Sequence, residues 1–152
     1  MKETLCRGKR VDDGKWTEGY FFKSWNKVFL LWGMTGDSPN MEEVVPETVG
    51  QYTGIEDDND VRIFEGDIVE VSYDDGTAYT TEVRAYGNTL CVDIDDDFDD
   101  CNFTSIDFAI ERWREDGCEL RVVSNIYDKD KAADATIEFL KSANVFSEYN
   151  NF

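Results

Sequence analysis

Residues 49–71 read VGQYTGIEDDNDVRIFEGDIVEV, and three kinds of local chemistry follow one another within them. QYTG ends in a glycine, a residue that enters left-handed backbone freely. EDDND, Glu56 to Asp60, is a polar loop between Tyr52 and the pair Ile63-Phe64. DIVEV then alternates, so that Val69 and Val71 share one face of a strand and Ile68 and Glu70 the other. The stretch therefore predicts two short extended segments, a charged turn between them and a strand with one buried side. Gly54 and Gly66 are expected to hold the turns, with Tyr52 and Phe64 anchoring the loop to a core.

The same pattern continues outward. DDGT at Asp74–Thr77 is a tight-turn signal, TAYTTEVRAY reads as the next strand, and Gly87-Asn88 turns the chain into TLCVD. Three strands joined by tight turns predict a meander. Upstream, Asp13-Gly14 lies between LCRGKRV and WTEGYFF and predicts a hairpin. KVFLLWGM, residues 27–34, reads as a buried strand, while GDSPNMEEVVPETVG, which holds both prolines, is expected to be a loop with short irregular structure. Downstream, Ile106, Ala109, Ile110 and Trp113 recur at helical spacing, ELRVVSNIY reads as a strand, and residues 129–145 form an alanine-rich amphipathic helix. The fold class is mainly β, a small curved barrel or meander similar in style to the Src-homology-3-like barrels, with a C-terminal helix. One domain over 1–152 is expected, with an N-terminal hairpin region at 1–50, a meander core at 50–128 and the helix at 129–145.

Composition sets limits on function. The 152 residues hold 10 Phe, 7 Tyr and 4 Trp, which is ample apolar material for a core without disulfide staples. Trp16, Trp25, Trp32 and Trp113 are assigned to core packing. Cys6, Cys91, Cys101 and Cys118 contain no C-x-x-C pair and read as scattered reduced thiols. No apolar run approaches the roughly 20 residues of a bilayer span and no leader pattern opens the chain, so a cytoplasmic protein is expected. The chain has no histidine, which removes imidazole acid–base catalysis, Ser-His and Cys-His nucleophile pairs and His-containing zinc sites. No catalytic residues, metal ligands or cofactors are assigned.

The net charge of −19 is local rather than spread evenly. Residues 55–100 carry two basic against sixteen acidic side chains, whereas 1–54 carry seven against eight and 101–152 six against ten. Such a field repels nucleic acid and acidic membranes and speeds encounter with a basic protein. The densest block is DIDDDFDD, with Asp93, Asp95, Asp96, Asp97, Asp99 and Asp100. EF-hand coordination is disfavoured, because Phe98 stands where a sharp-turning glycine belongs and Thr104 where a bidentate glutamate belongs, while an adventitious hard-cation site on the dense carboxylates stays open. As a catalytic cluster it lacks basic residues to hold an anionic substrate. As a charge mimic of nucleic acid, an extended 93–100 would span about 26 Å, and Glu56, Asp57, Asp58 and Asp60 would add to it. A solvated face that only keeps the protein soluble accounts for the same residues.

QYTG followed by a charged loop and FEGDIV, at residues 51–54 and 64–69, resembles the YopX family of phage and prophage proteins. RGKRVDDGKWTEGY at 7–20 and SNIYD at 124–128 are similar to the opening and closing segments of that family. EDDND departs from the basic, glycine-containing loop of the pattern. The resemblance implies origin and fold rather than a reaction. With the charge, it sets the expectation of a non-enzymatic phage protein that binds a basic host protein surface through the ten named carboxylates, in a bacterial cytoplasm. The alternative is a structural or homo-oligomer-forming accessory protein.

Overall fold

The computed structural model describes residues 4–94 and 103–128. The turn at Asp13-Gly14 closes the expected hairpin: β1 (Leu5–Lys9) and β2 (Trp16–Ser24) run antiparallel, with Lys9 opposite Trp16 and Leu5 opposite Tyr20. β2 turns at Trp25-Asn26 into β3 (Lys27–Thr35). Of β3, only Val28 and Leu30 are buried, while Trp32 and Met34 are exposed. The segment expected to be a loop instead contains β4 (Ser38–Val44), paired along β3, and a single 3-10 turn at Pro46–Thr48. Both prolines are compatible with this: Pro39 lies on a sheet-edge strand and Pro46 opens the 3-10 turn, where a backbone N–H has no internal partner.

The hallmark stretch adds β5 (Gly50–Glu56) and β6 (Arg62–Phe64), giving a six-stranded sheet of order β4-β3-β2-β1-β5-β6. The Tyr52 and Phe64 rings meet at 5.3 Å across the β5–β6 pair, and Gly54 and Gly66 take φ of 84° and 93°, as expected. Next come β7 (Asp67–Ser72), β8 (Ala78–Glu82), β9 (Arg84–Tyr86), β10 (Thr89–Asp93), β11 (Phe103–Ser105) and β12 (Glu119–Asn125). They form two three-stranded sheets, β12-β7-β8 and β11-β10-β9.

The run TAYTTEVRAY is thus two strands, not one. It breaks at buried Val83, whose N–H donates to the Asp67 carbonyl and whose carbonyl accepts from the Gly66 N–H. These bonds take the place of ladder bonds and send the next strand into another sheet. Strand makes up 60% and helix 11% of the described residues, so the mainly-β class stands. The barrel does not. The sheets are open, and the nearest approach to closure is one bridge, Arg10 to Val44, where β4 curls back to the end of β1.

Helix α1 (Ile106–Glu115) forms where its periodicity places it. Ser105 caps its start by accepting from the Phe108 N–H, and the Gly117 and Cys118 N–H groups close its end on Arg114 and Trp113 carbonyls. Its buried stripe, Ile106, Ala109, Ile110 and Trp113, packs with Ile63, Val69, Val71, Val83, Val92 and Leu120 into the larger core. A smaller core of Cys6, Val28, Leu30 and Val44 lies under the curled N-terminal sheet. Each such Val or Leu buried in full contributes roughly 1.5–3 kcal/mol. Cys6, Cys91 and Cys118 are free thiols, and burial pushes the Cys6 and Cys118 thiols upward. The helix expected at 129–145 lies outside the described residues.

Candidate functional site

Segments far apart in the sequence meet at one clasp. Asp128, from the SNIYD segment, accepts from Lys9 Nζ at 2.5 Å, Trp16 Nε1 at 2.9 Å and Asn125 Nδ2 at 2.7 Å. Burial alone would push its carboxyl up, but these donors outweigh that and hold it at about 2. Asp67, from FEGDIV, pairs with Arg7 at 2.6 Å and accepts from the Phe64 N–H at 2.8 Å. Burial pushes the Asp67 carboxyl up, against the pull of the Arg7 guanidinium. That guanidinium lies over two rings, 4.5 Å from the Trp16 centroid and 5.0 Å from that of Phe64. The charges here are spent on one another. The clasp joins β1 and β2 to the rest of the protein, and the buried Arg7 Nε is left without a hydrogen-bond partner in it.

The acidic loop divides into structural and outward-facing members. Asp57 is 5% exposed. Its Oδ1 accepts from the Asn59 and Val61 N–H groups, and its Oδ2 from the Val122 N–H. Asp58 Oδ2 accepts from the Leu120 N–H at 2.7 Å, so the loop is sewn to β12. Asp57 is therefore a fold residue, and Asp58 does double duty at the surface. Glu56 and Asp60 are exposed and belong to no ion pair among the described residues.

This loop is a ridge between two grooves. On one side a groove of about 620 Å³ runs between the loop and α1, and Asp107, Glu111 and Arg114 complete its lining with Glu56, Asp57, Asp58 and Asp60. Asp107 and Glu111 were not among the sequence candidates. They stand four apart on the exposed face of α1, one turn above the other, and that i, i+4 spacing was the available signal. On the other side lies a wider groove of about 830 Å³, walled by Glu56 and Asp60 and by Trp16, Trp32 and Arg62.

The second acidic block is placed only at its start. Asp93 ends β10, with its carboxylate half exposed and 3.8 Å from Arg84. Asp95, Asp96, Asp97, Asp99 and Asp100 lie outside the described residues. Among the described residues no three His, Cys, Asp or Glu side chains are grouped to hold a metal ion, and no helix is long and apolar enough to cross a membrane. The tryptophans divide as well. Trp113 is buried, Trp16 is half-buried in the clasp, and Trp25 and Trp32 are 92% and 46% exposed, against the expectation that all four pack in the core.

The family model for YopX protein matches residues 23–132. The span includes QYTG, FEGDIV and SNIYD but begins after RGKRVDDGKWTEGY, so the N-terminal likeness falls outside it. No curated protein and no solved structure matches the chain. Because the matched span covers well over half of the sequence and contains the β5–β6 hallmark together with Asp67 and Asp128, the chain belongs to the YopX family.

Proposed function

We propose that this is a phage- or prophage-type binding protein without enzymatic activity, whose acidic face engages a basic host surface of the kind that otherwise holds nucleic acid. The observation that carries this reading is the acidic groove. Folding adds the helix carboxylates Asp107 and Glu111 to Glu56, Asp58 and Asp60 of the loop, with Arg114 as the one basic side chain in the lining. Opposing carboxylates around a concave surface focus a negative potential, which repels nucleic acid and accelerates encounter with a basic protein. A preformed loop, held by Asp57 and Asp58 to its own backbone and to β12, loses little entropy on binding. Action in the bacterial cytoplasm fits such a partner.

The test is capture from a bacterial lysate by the tagged protein, beside an Asp107→Asn/Glu111→Gln variant and an Asp95→Asn/Asp97→Asn/Asp99→Asn variant. A basic nucleic-acid-binding protein retained by the parent, released by salt and lost from either variant supports the reading. Identical captures by all three proteins, or a complex indifferent to salt, overturn it.

A second reading, the oligomer-forming accessory protein, is favoured by a separate observation. Tyr20, Phe21, Phe22, Trp25, Met34 and Met41 are all exposed on β2, β3, β4 and their β2–β3 turn. Trp25 also sits at φ 59°, a strained position for a non-glycine residue. Light scattering after size exclusion separates the readings, since Phe22→Ser should reduce the mass of an assembly built on these strands and leave a monomer unchanged.

A further inference from the structure

The wider groove contains a recognition chemistry that the protein already uses once inside itself. Arg7 is held by two aromatic faces, Trp16 and Phe64, and by one carboxylate, Asp67. Arg62 at the groove wall is also satisfied, lying 3.3 Å from Glu18 and 5.8 Å from the Tyr52 ring centre. Once these pairs are set aside, the exposed unspent groups of the groove are the half-exposed indole of Trp32 and the carboxylates of Glu56 and Asp60, while the unpartnered Nε of Arg7 is buried. Among the described residues no cation lies over Trp32, and neither carboxylate has a counter-ion.

We propose that this groove is a receptor for an arginine side chain of the protein partner, with the guanidinium stacked on Trp32 and its N–H groups donating to Glu56 and Asp60. A planar cation suits the site better than a compact ammonium. It can lie flat on an indole while its edge addresses carboxylates, as Arg7 does in the same groove. The charge balance points the same way: with Arg7 and Arg62 neutralised internally, the unpaired charges of the lining are both negative. The ridge that presents them is fixed by the Asp57 hydrogen bonds to the Asn59 and Val61 N–H groups. Glu56 and Asp60 also line the acidic groove, so one ridge would place an arginine on one side and further basic residues of the same partner on the other. The assignment rests on the acidic-face reading for the identity of the partner, but not for the chemistry of the groove.

The test is titration of the ¹⁵N-labelled protein with acetyl-Gly-Arg-Gly-amide, following the Trp32 indole N–H signal, assigned by its loss in Trp32→Phe. The citrulline peptide, neutral and of the same shape, and the lysine peptide serve as comparisons. Expected is a saturable shift with the arginine peptide, none with citrulline, weaker binding of lysine, and about tenfold weaker arginine binding by Glu56→Gln/Asp60→Asn. Trp32→Ala, checked by its melting curve to be folded, should lose the binding that is read from the peptide signals. No saturable shift, an equal response to citrulline or lysine, or undiminished binding by folded Trp32→Ala overturns the proposal. The two readings fail separately. If Trp32→Ala still captures the basic host protein that Asp107→Asn/Glu111→Gln loses, the groove assignment falls alone; if the arginine peptide binds and no basic host protein is captured, the acidic-face reading falls alone.

Discussion

Replacing Asp128 by asparagine should open the clasp in a way that depends on pH. Asp128 receives hydrogen bonds from Lys9, Trp16 and Asn125, and its carboxyl is held at about 2 against an ordinary value of 3.8. At 1.36 kcal/mol per pH unit, that difference corresponds to at most about 2.5 kcal/mol of stability. The side chain is 28% exposed, and solvent screening reduces the figure to about 1–2 kcal/mol. Because the carboxyl is depressed in the folded state, this stability is fully present above the unfolded value near 4 and is lost as pH falls through about 2. Asp128→Asn also leaves Lys9, 16% exposed, without its counter-ion, so the total loss at pH 7 should be about 2–3 kcal/mol. Urea unfolding of parent and variant in parallel from pH 7 to pH 2 reads the difference directly and cancels the titration of the many other carboxylates. The gap should hold from pH 7 to about pH 4 and narrow by about 1–2 kcal/mol below that. A gap of under about 0.5 kcal/mol at pH 7, or one that does not change with pH, would refute the reasoning.

Asp57→Ala removes the acceptor for three backbone N–H groups and should cost about 3 kcal/mol in a urea melt, whereas Glu56→Ala next to it should stay within about 0.5 kcal/mol. Gly50→Ala would set a methyl group 2.5 Å from the Glu65 carbonyl oxygen, and a loss of about 2–3 kcal/mol by thermal melting is expected as β5 and β6 are pushed apart. Trp25→Gly relieves positive φ at an exposed turn and should raise the stability of the monomer by about 1 kcal/mol; in an assembly built on β2, β3 and their turn it should lower the assembled mass instead.

The features legible in the sequence were those settled within a few residues. Asp13-Gly14 and DDGT closed the hairpins they announced, and the Ile106, Ala109, Ile110, Trp113 stripe formed its helix. Gly54 and Gly66 took left-handed backbone, because no longer-range force has to act for glycine to adopt it, but only Gly66 holds a turn; Gly54 lies inside β5, at the irregularity in its register with β6. β4 was missed because two prolines lower strand propensity locally, while the decisive term was the free edge of β3 beside it. The division of TAYTTEVRAY was also out of reach, since it depends on Gly66 and Asp67 hydrogen bonding to Val83 from another part of the chain.

The candidate site divides along the same line. Sequence by itself determined that the acid is concentrated in the middle third, that histidine chemistry is absent and that EDDND is a loop, because charge and residue identity are properties of the chain at any conformation. Tertiary structure decided what each carboxylate does. Asp57 and Asp67 turned inward because unpaired N–H groups and a guanidinium awaited them there, and a buried carboxylate is tolerable only where such donors surround it. Asp107 and Glu111 joined Glu56 and Asp60 only because the apolar stripe of α1 had to face the core, which left the helix carboxylates on the side of the loop.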